Sequence, residues 1–277
     1  MMTTNPFAWL LLMVSEALGG PTSVEAPPVT SDSAELAPLP EVREVVALAS
    51  PAAPVPDEAP PVRLASADER LTATVRALQK TYEDTREFEA RFTQRYTYAL
   101  LRRTQESHGV VRFKKPGLMR WDYTDPTPKT FLIDGSRLWV HQPKDNTVLV
   151  DHCFKQDGLT ASVAFLWGAG DIEKQFHVSW FDGTFGAPSD LHLALEPREA
   201  NGIFKRLILV VDPGTYRVKQ SVVVDPNGNV NQFLYEDLRF NHGVSPSAFR
   251  FTPPTGTHTS RVPGSCAEPD AALSPRR

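Results

Sequence analysis

From Phe88 to Gln142, apolar and polar residues alternate through one short segment after another. A period of two marks strands buried on one side only. The segment Phe88-Glu89-Ala90-Arg91-Phe92-Thr93-Gln94-Arg95-Tyr96 shows the alternation directly, and in the run from Phe113 to Tyr123 the residues Met119, Trp121 and Tyr123 share a face by parity. A sheet built this way has one wet face and one broad apolar face that must be covered or bind something.

The pattern predicts strands over about 88–98, 107–114, 118–124, 129–134, 137–142 and 146–151, then over about 173–181, 190–196, 203–211, 215–224 and 230–240. Short loops such as Asp134-Gly135, Asp212-Pro213-Gly214 and Asp225-Pro226-Asn227-Gly228-Asn229 separate them, which favours an antiparallel meander. Ser66-Ala67-Asp68-Glu69 has capping-box spacing, and Leu71, Val75, Leu78 and Tyr82 follow at helical intervals, predicting a helix over 67–84. Leu159, Val163, Leu166 and Trp167 predict a second, short helix within 158–168. Eleven strands that curl under their own twist, with two helices to hide the inner face, give an α+β fold: an unclosed antiparallel half-barrel lidded by helices.

Residues 1–20 hold the apolar stretch Phe7 to Val14 followed by small residues, as in a secretory signal segment, although no Lys or Arg precedes Arg43. The stretch is far short of a membrane span. Residues 21–65, rich in Pro and Ala, are expected to be a disordered linker, with the ordered domain over 66–257 and a flexible tail over 258–277. Between residues 86 and 129 ten bases face five acids, which fits solvated strand edges or attraction to an acidic or phospholipid surface. Cys153 and Cys266 are the two cysteines, either free thiols or a single disulfide tying the tail to the barrel.

The sequence holds no nucleophile elbow, phosphate-cradling loop or His-Glu-x-x-His, and His141, Asp151, His152, His177 and Asp182 are scattered over strands. No enzyme activity, cofactor or metal is expected. The basic and aromatic mix from Arg112 to Trp121 lacks a continuous basic stripe in an acidic chain, against a nucleic-acid role. What remains is apolar binding: Phe92, Phe113, Met119, Trp121, Phe131, Trp139 and Trp167 are many large side chains for one domain, and they either fill a core or line a ligand cavity.

Several segments in order, covering about 66–257, carry a resemblance: Phe88-Glu89-Ala90-Arg91-Phe92-Thr93-Gln94, Phe113-Lys114-Lys115-Pro116-Gly117-Leu118-Met119-Arg120-Trp121, Asp134-Gly135-x-x-Leu138-Trp139-Val140-x-x-Pro143, Glu196-Pro197-x-x-Ala200-Asn201-Gly202 and Phe249-Arg250-Phe251-Thr252-Pro253-Pro254. The chain resembles the periplasmic outer-membrane lipoprotein carrier (LolA) family. The resemblance implies a monomer that takes acylated lipoproteins from an inner-membrane ABC transporter and gives them to an outer-membrane acceptor, without covalent chemistry. It further implies that Lys115, where the family often has Arg, latches the lid helices, and that Leu159 to Trp167 is the central lid helix, bringing Leu166 to the lipid site. A sensor of lipids or lipoproteins with the same fold is the alternative.

Overall fold

The structure is a computed structural model and describes residues 66–152, 154, 171–199 and 204–262. Helix α1 (Ala67–Asp84) begins as its sequence dictates: Ser66 Oγ accepts from the Glu69 N–H at 3.1 Å, and Glu69 Oε2 accepts from the Ser66 N–H at 2.8 Å. Twelve strands follow: β1 (Glu87–Tyr98), β2 (Arg103–Lys114), β3 (Leu118–Asp125), β4 (Lys129–Asp134), β5 (Leu138–Gln142), β6 (Thr147–Asp151), β7 (Phe176–Trp180), β8 (Leu191–Pro197), β9 (Arg206–Val211), β10 (Val218–Val224), β11 (Val230–Phe240) and β12 (His258–Arg261). A one-turn helix, α2 (Ile172–Gln175), precedes β7, with the Asp171 carboxylate accepting from the Lys174 N–H at 3.2 Å.

All twelve strands belong to one unclosed sheet in the order β12-β6-β5-β4-β3-β2-β1-β11-β10-β9-β8-β7. Two meanders, β1–β6 and β7–β11, are therefore joined where β1 pairs with β11. The half-barrel expected from the alternation is present, with two differences. Among the described residues there are twelve strands rather than eleven, and β12 pairs in parallel with β6, within the segment expected to be a flexible tail. Its residues are largely exposed, so no apolar alternation announces it. Likewise β2 begins at Arg103 rather than 107 because its first residues are polar on both faces.

Facing residues form continuous rows across the inner face. Phe88, Phe113, Met119, Ile133 and Leu138 lie opposite one another from β1 to β5. The next row is Ala90, Val111, Trp121, Phe131, Val140 and Leu149. A third runs from Tyr235 on β11 through Phe92, Gly109 and Tyr123 to Lys129. The other half of the inner face, with Phe176, Leu193, Leu195, Leu207 and Leu209, packs against Val75, Leu78 and Tyr82 of α1. Tyr235 and Phe240 touch both clusters and make the apolar face continuous across the seam.

On the outer side of β4–β6, Leu132, Trp139, Val148 and Val150 are covered by Val244, Phe249 and Phe251 from the chain after β11. Nearer the seam the outer face is ionic. Arg112 bridges Glu89 at 2.7 Å and Asp122 at 3.1 Å, and Arg120 meets the same Asp122 at 2.8 Å while donating to the Ala248 carbonyl at 3.0 Å. Lys114, Arg91 and Arg95 also pair, with Glu87, Asp237 and Glu106, but of all these acids only Asp237 lies outside 86–129, so most of the basic excess of that segment remains.

Candidate functional site

The site is built on β1–β5, where alternation sends aromatic side chains inward. Phe92 is its centre: its ring lies 4.9 Å from those of both Trp121 and Tyr123, each edge to face, and 5.9 Å from Phe233. Gly109 makes room for it, since a Cβ there would stand 2.7 Å from the Phe92 ring and 2.1 Å from the Asp122 carbonyl oxygen. Phe88 stacks on Phe113 at 5.4 Å and on Phe240 at 5.6 Å, carrying the surface toward α1. Each such side chain contributes about 1.5–3 kcal/mol when buried, so five left in water would cost roughly as much as a whole domain's stability. The face must be covered by protein or by cargo, and here it is covered, with Phe92 2% and Phe113 1% exposed.

Of the residues expected to bind lipid, Phe92, Phe113, Met119 and Phe131 meet in this cluster, and Trp121 packs against it. Trp139 does not join them. It lies one residue out of phase with Leu138 and Val140, on the outer face, where its indole N–H donates to Asp134 at 2.9 Å and its ring packs beside Phe251 at 5.5 Å. Trp139 is thus placed by parity in the outer core. Leu166, Trp167, Cys153 and Cys266 lie outside the described residues. Among the described residues no group of three or more His, Cys, Asp or Glu could hold a metal.

Lys115 sits in the β2–β3 turn at the end of the sheet nearest the C-terminus of α1. Its ammonium donates to the Tyr82 carbonyl at 2.7 Å and the Glu83 carbonyl at 2.9 Å. A helix leaves its last carbonyls without partners, and the last turn of α1 has no basic residue of its own. Burial pushes the Lys115 pKa down against the opposing pull of Glu83 and Asp84. The rest of α1 is fastened to the second meander: the Tyr82 hydroxyl accepts from the Val218 N–H at 3.1 Å and Gln79 Oε1 from the Ile172 N–H at 3.2 Å. Lys115 therefore ties the first meander to a helix that the second one holds.

The sequence reading missed two features of the inner face. Phe233 and Tyr235 alternate along β11, a visible signal that needed the β1–β11 pairing to become meaningful. Lys129 is buried inward at the start of β4, where a lysine at a strand end reads as solvated. Burial pushes its pKa down to about 8, so the ammonium still carries charge at neutral pH. At the same end of the sheet, the β1–β2 hairpin projects about 20 Å beyond the Phe92 row. Its tip holds Leu100, 93% exposed, and Leu101, 67% exposed, next to exposed Arg102 and Arg103. A separate groove of about 580 Å³ opens beside the β1–β11 seam, but charged Glu89, Arg91, Arg112 and Arg239 among its walls make it a poor receptacle for hydrocarbon.

The protein is thus an unclosed half-barrel with a continuous apolar inner face, one half of it packed against α1 and the other tied to the end of that helix through Lys115. The family model described as "Outer membrane lipoprotein carrier protein LolA" matches residues 83–252, more than half of the chain. An outer-membrane lipoprotein carrier protein of Alkalilimnicola ehrlichii is 29% identical over 194 residues, 69% of this chain and 86% of the relative. That of Dechloromonas aromatica is 26% identical over 183 residues, 63% and 81%. A solved LolA superfamily protein from Nitrosomonas europaea superposes with a TM-score of 0.36 at 13% identity, covering 65% of this chain and 97% of its own. The chain belongs to the LolA family of outer-membrane lipoprotein carriers. No helix among the described residues is long and apolar enough to cross a membrane.

Proposed function

We propose that this protein shelters the acyl chains of lipoproteins against the inner face of β1–β5 and carries them through the periplasm from the inner to the outer membrane. An inner-membrane ABC transporter loads it, an outer-membrane acceptor unloads it, and no covalent bond changes. The observation that carries the reading is the continuous apolar surface around Phe92, Trp121 and Met119, at one end of which Lys115 holds the C-terminus of α1 by two hydrogen bonds. A triacylated lipopeptide should displace a fluorescent fatty-acid probe from the full chain with saturable stoichiometry. Failure of the probe to bind at all would leave the aromatic cluster as a filled core.

Lys115 serves as the latch in this cycle. Lys115→Leu removes two charge-assisted hydrogen bonds and should cost about 2 kcal/mol in urea denaturation while letting loaded lipopeptide escape faster. Lys115→Arg, with a fork of donors for the same carbonyls, should slow release. Equal release rates for wild type and both variants would reduce Lys115 to a structural brace.

The leucine pair at the β1–β2 tip supplies a point of contact with a bilayer. Two exposed leucines beside two arginines suit the boundary between acyl chains and anionic headgroups. Replacing both Leu100 and Leu101 with Ser should leave lipopeptide binding in solution unchanged and reduce delivery to vesicles containing phosphatidylglycerol several-fold. Delivery at the wild-type rate would remove the tip from the transfer step.

A further inference from the structure

Lys129 ends the inner row that runs through Tyr235, Phe92, Gly109 and Tyr123. It is 3% exposed, and its ammonium lies 4.4 Å from the centroid of the Tyr123 ring and 5.5 Å from that of Phe131. Among the described residues Nζ has no hydrogen-bond partner. The ring faces offset only part of what a desolvated ammonium loses by leaving water. Lys114, Arg112 and Arg120 are less deeply placed, yet each faces a carboxylate. Among the described residues, this deeply buried cation of the sheet has no carboxylate within ion-pair distance.

Further along the same face, on β1, β2 and β11, Gln94, Ser107 and Asn231 are buried beyond the Phe92 row, and the Asn231 Nδ2 also lacks an acceptor. Donors without acceptors, bordering an otherwise apolar surface, mark where an oxygen of a ligand belongs. From Lys129 to Ile133 along β4 is about 13 Å, a stretch of apolar face along which a length of hydrocarbon would lie once the cover opens.

We propose that Lys129 is a headgroup site for single-chain acyl ligands that end in a carboxylate, with the chain laid over Tyr123, Phe131 and Met119. The inference rests on the reading of the inner face as acyl-binding and goes beyond it in naming free fatty acids as ligands. Acyl chains in ester or amide linkage bring only a neutral carbonyl to the same point, and a carboxylate forms the charge-assisted pair that the site lacks. Occupancy requires the cover over the inner face to open, as any loading does.

The experiment compares palmitate, palmitic acid methyl ester and a triacylated lipopeptide as competitors of a neutral fluorescent acyl probe on the delipidated full chain. Wild type should prefer palmitate over its methyl ester by about 10-fold or more, and Lys129→Gln should bring that ratio close to one while still binding the ester and the lipopeptide. Lys129→Met, which removes the charge without a new polar group, should behave alike and covers the case in which the Gln variant folds poorly. Equal affinity for acid and ester in wild type, or a preference that survives in both variants, would overturn the headgroup site and leave acyl binding intact. Absence of binding by all three ligands in wild type would instead overturn the acyl-binding reading beneath it.

Discussion

Gly109→Val should lower stability by at least about 3 kcal/mol, read as a fall in the urea midpoint with an unchanged slope. The obstacle is backbone as well as side chain: a Cβ at this position meets the Asp122 carbonyl oxygen at 2.1 Å and the Phe92 ring at 2.7 Å. Phe92 could turn aside only by giving up its contacts with Trp121 and Tyr123, and the carbonyl belongs to the neighbouring strand and cannot turn. Gly109→Ala should already show most of the loss, because the first added atom makes the clash. A variant within 1 kcal/mol of wild type would mean that β2 and β3 separate more readily here than their pairing implies.

Met119→Glu should abolish acyl binding at pH 7 while Met119→Leu keeps it. Met119 sits between Phe113 and Ile133 in the inner row nearest the latch and is 5% exposed, so an introduced carboxylate finds neither water nor a cation facing it. Its folded-state pKa would rise above the unfolded value of about 4.3. Below that value both states are protonated and the ionisation penalty is absent. As pH rises through the interval up to the folded pKa, stability falls by about 1.4 kcal/mol per unit. Denaturation at pH 4 and pH 7 should therefore differ far more for the Glu variant than for the Leu variant. Full acyl binding at pH 7 by a folded Met119→Glu protein would move the cargo elsewhere on the sheet.

Where strands bury one side, their sequence reveals them. Alternation located β1, β3, β4 and β5 to within a residue or two, and Ser66 with Glu69 fixed the start of α1, because each signal is local. The apolar face itself was legible through Phe92, Phe113, Met119, Trp121 and Phe131. Trp139 was misplaced because its size suggested the cavity, whereas its parity against Leu138 and Val140 put it on the outer face. β12 escaped because it buries almost nothing and is held by main-chain pairing to a strand over a hundred residues earlier. Lys129 escaped for a related reason: whether a lysine at a strand end meets water depends on what the rest of the sheet places around it, and one strand's pattern carries no record of that.

The position of α1 sets the order in which the molecule can assemble. The helix leads directly into β1, yet Val75, Leu78 and Tyr82 pack on β7–β10, and the Trp180 indole N–H donates to the Ala67 carbonyl at 3.3 Å. A chain emerging from its N-terminus can close the β1–β6 meander through short turns, but the surface that α1 needs does not yet exist. Loop closure across more than a hundred residues is slow relative to hairpin formation. Until the second meander arrives, the helix has only its own weak propensity to hold it and a row of apolar side chains to hide. Pulsed hydrogen exchange during refolding should therefore protect the amides of β1–β5 before those of α1, and simultaneous protection would indicate that the two meanders form together. That interval is when the chain exposes the most apolar surface to water.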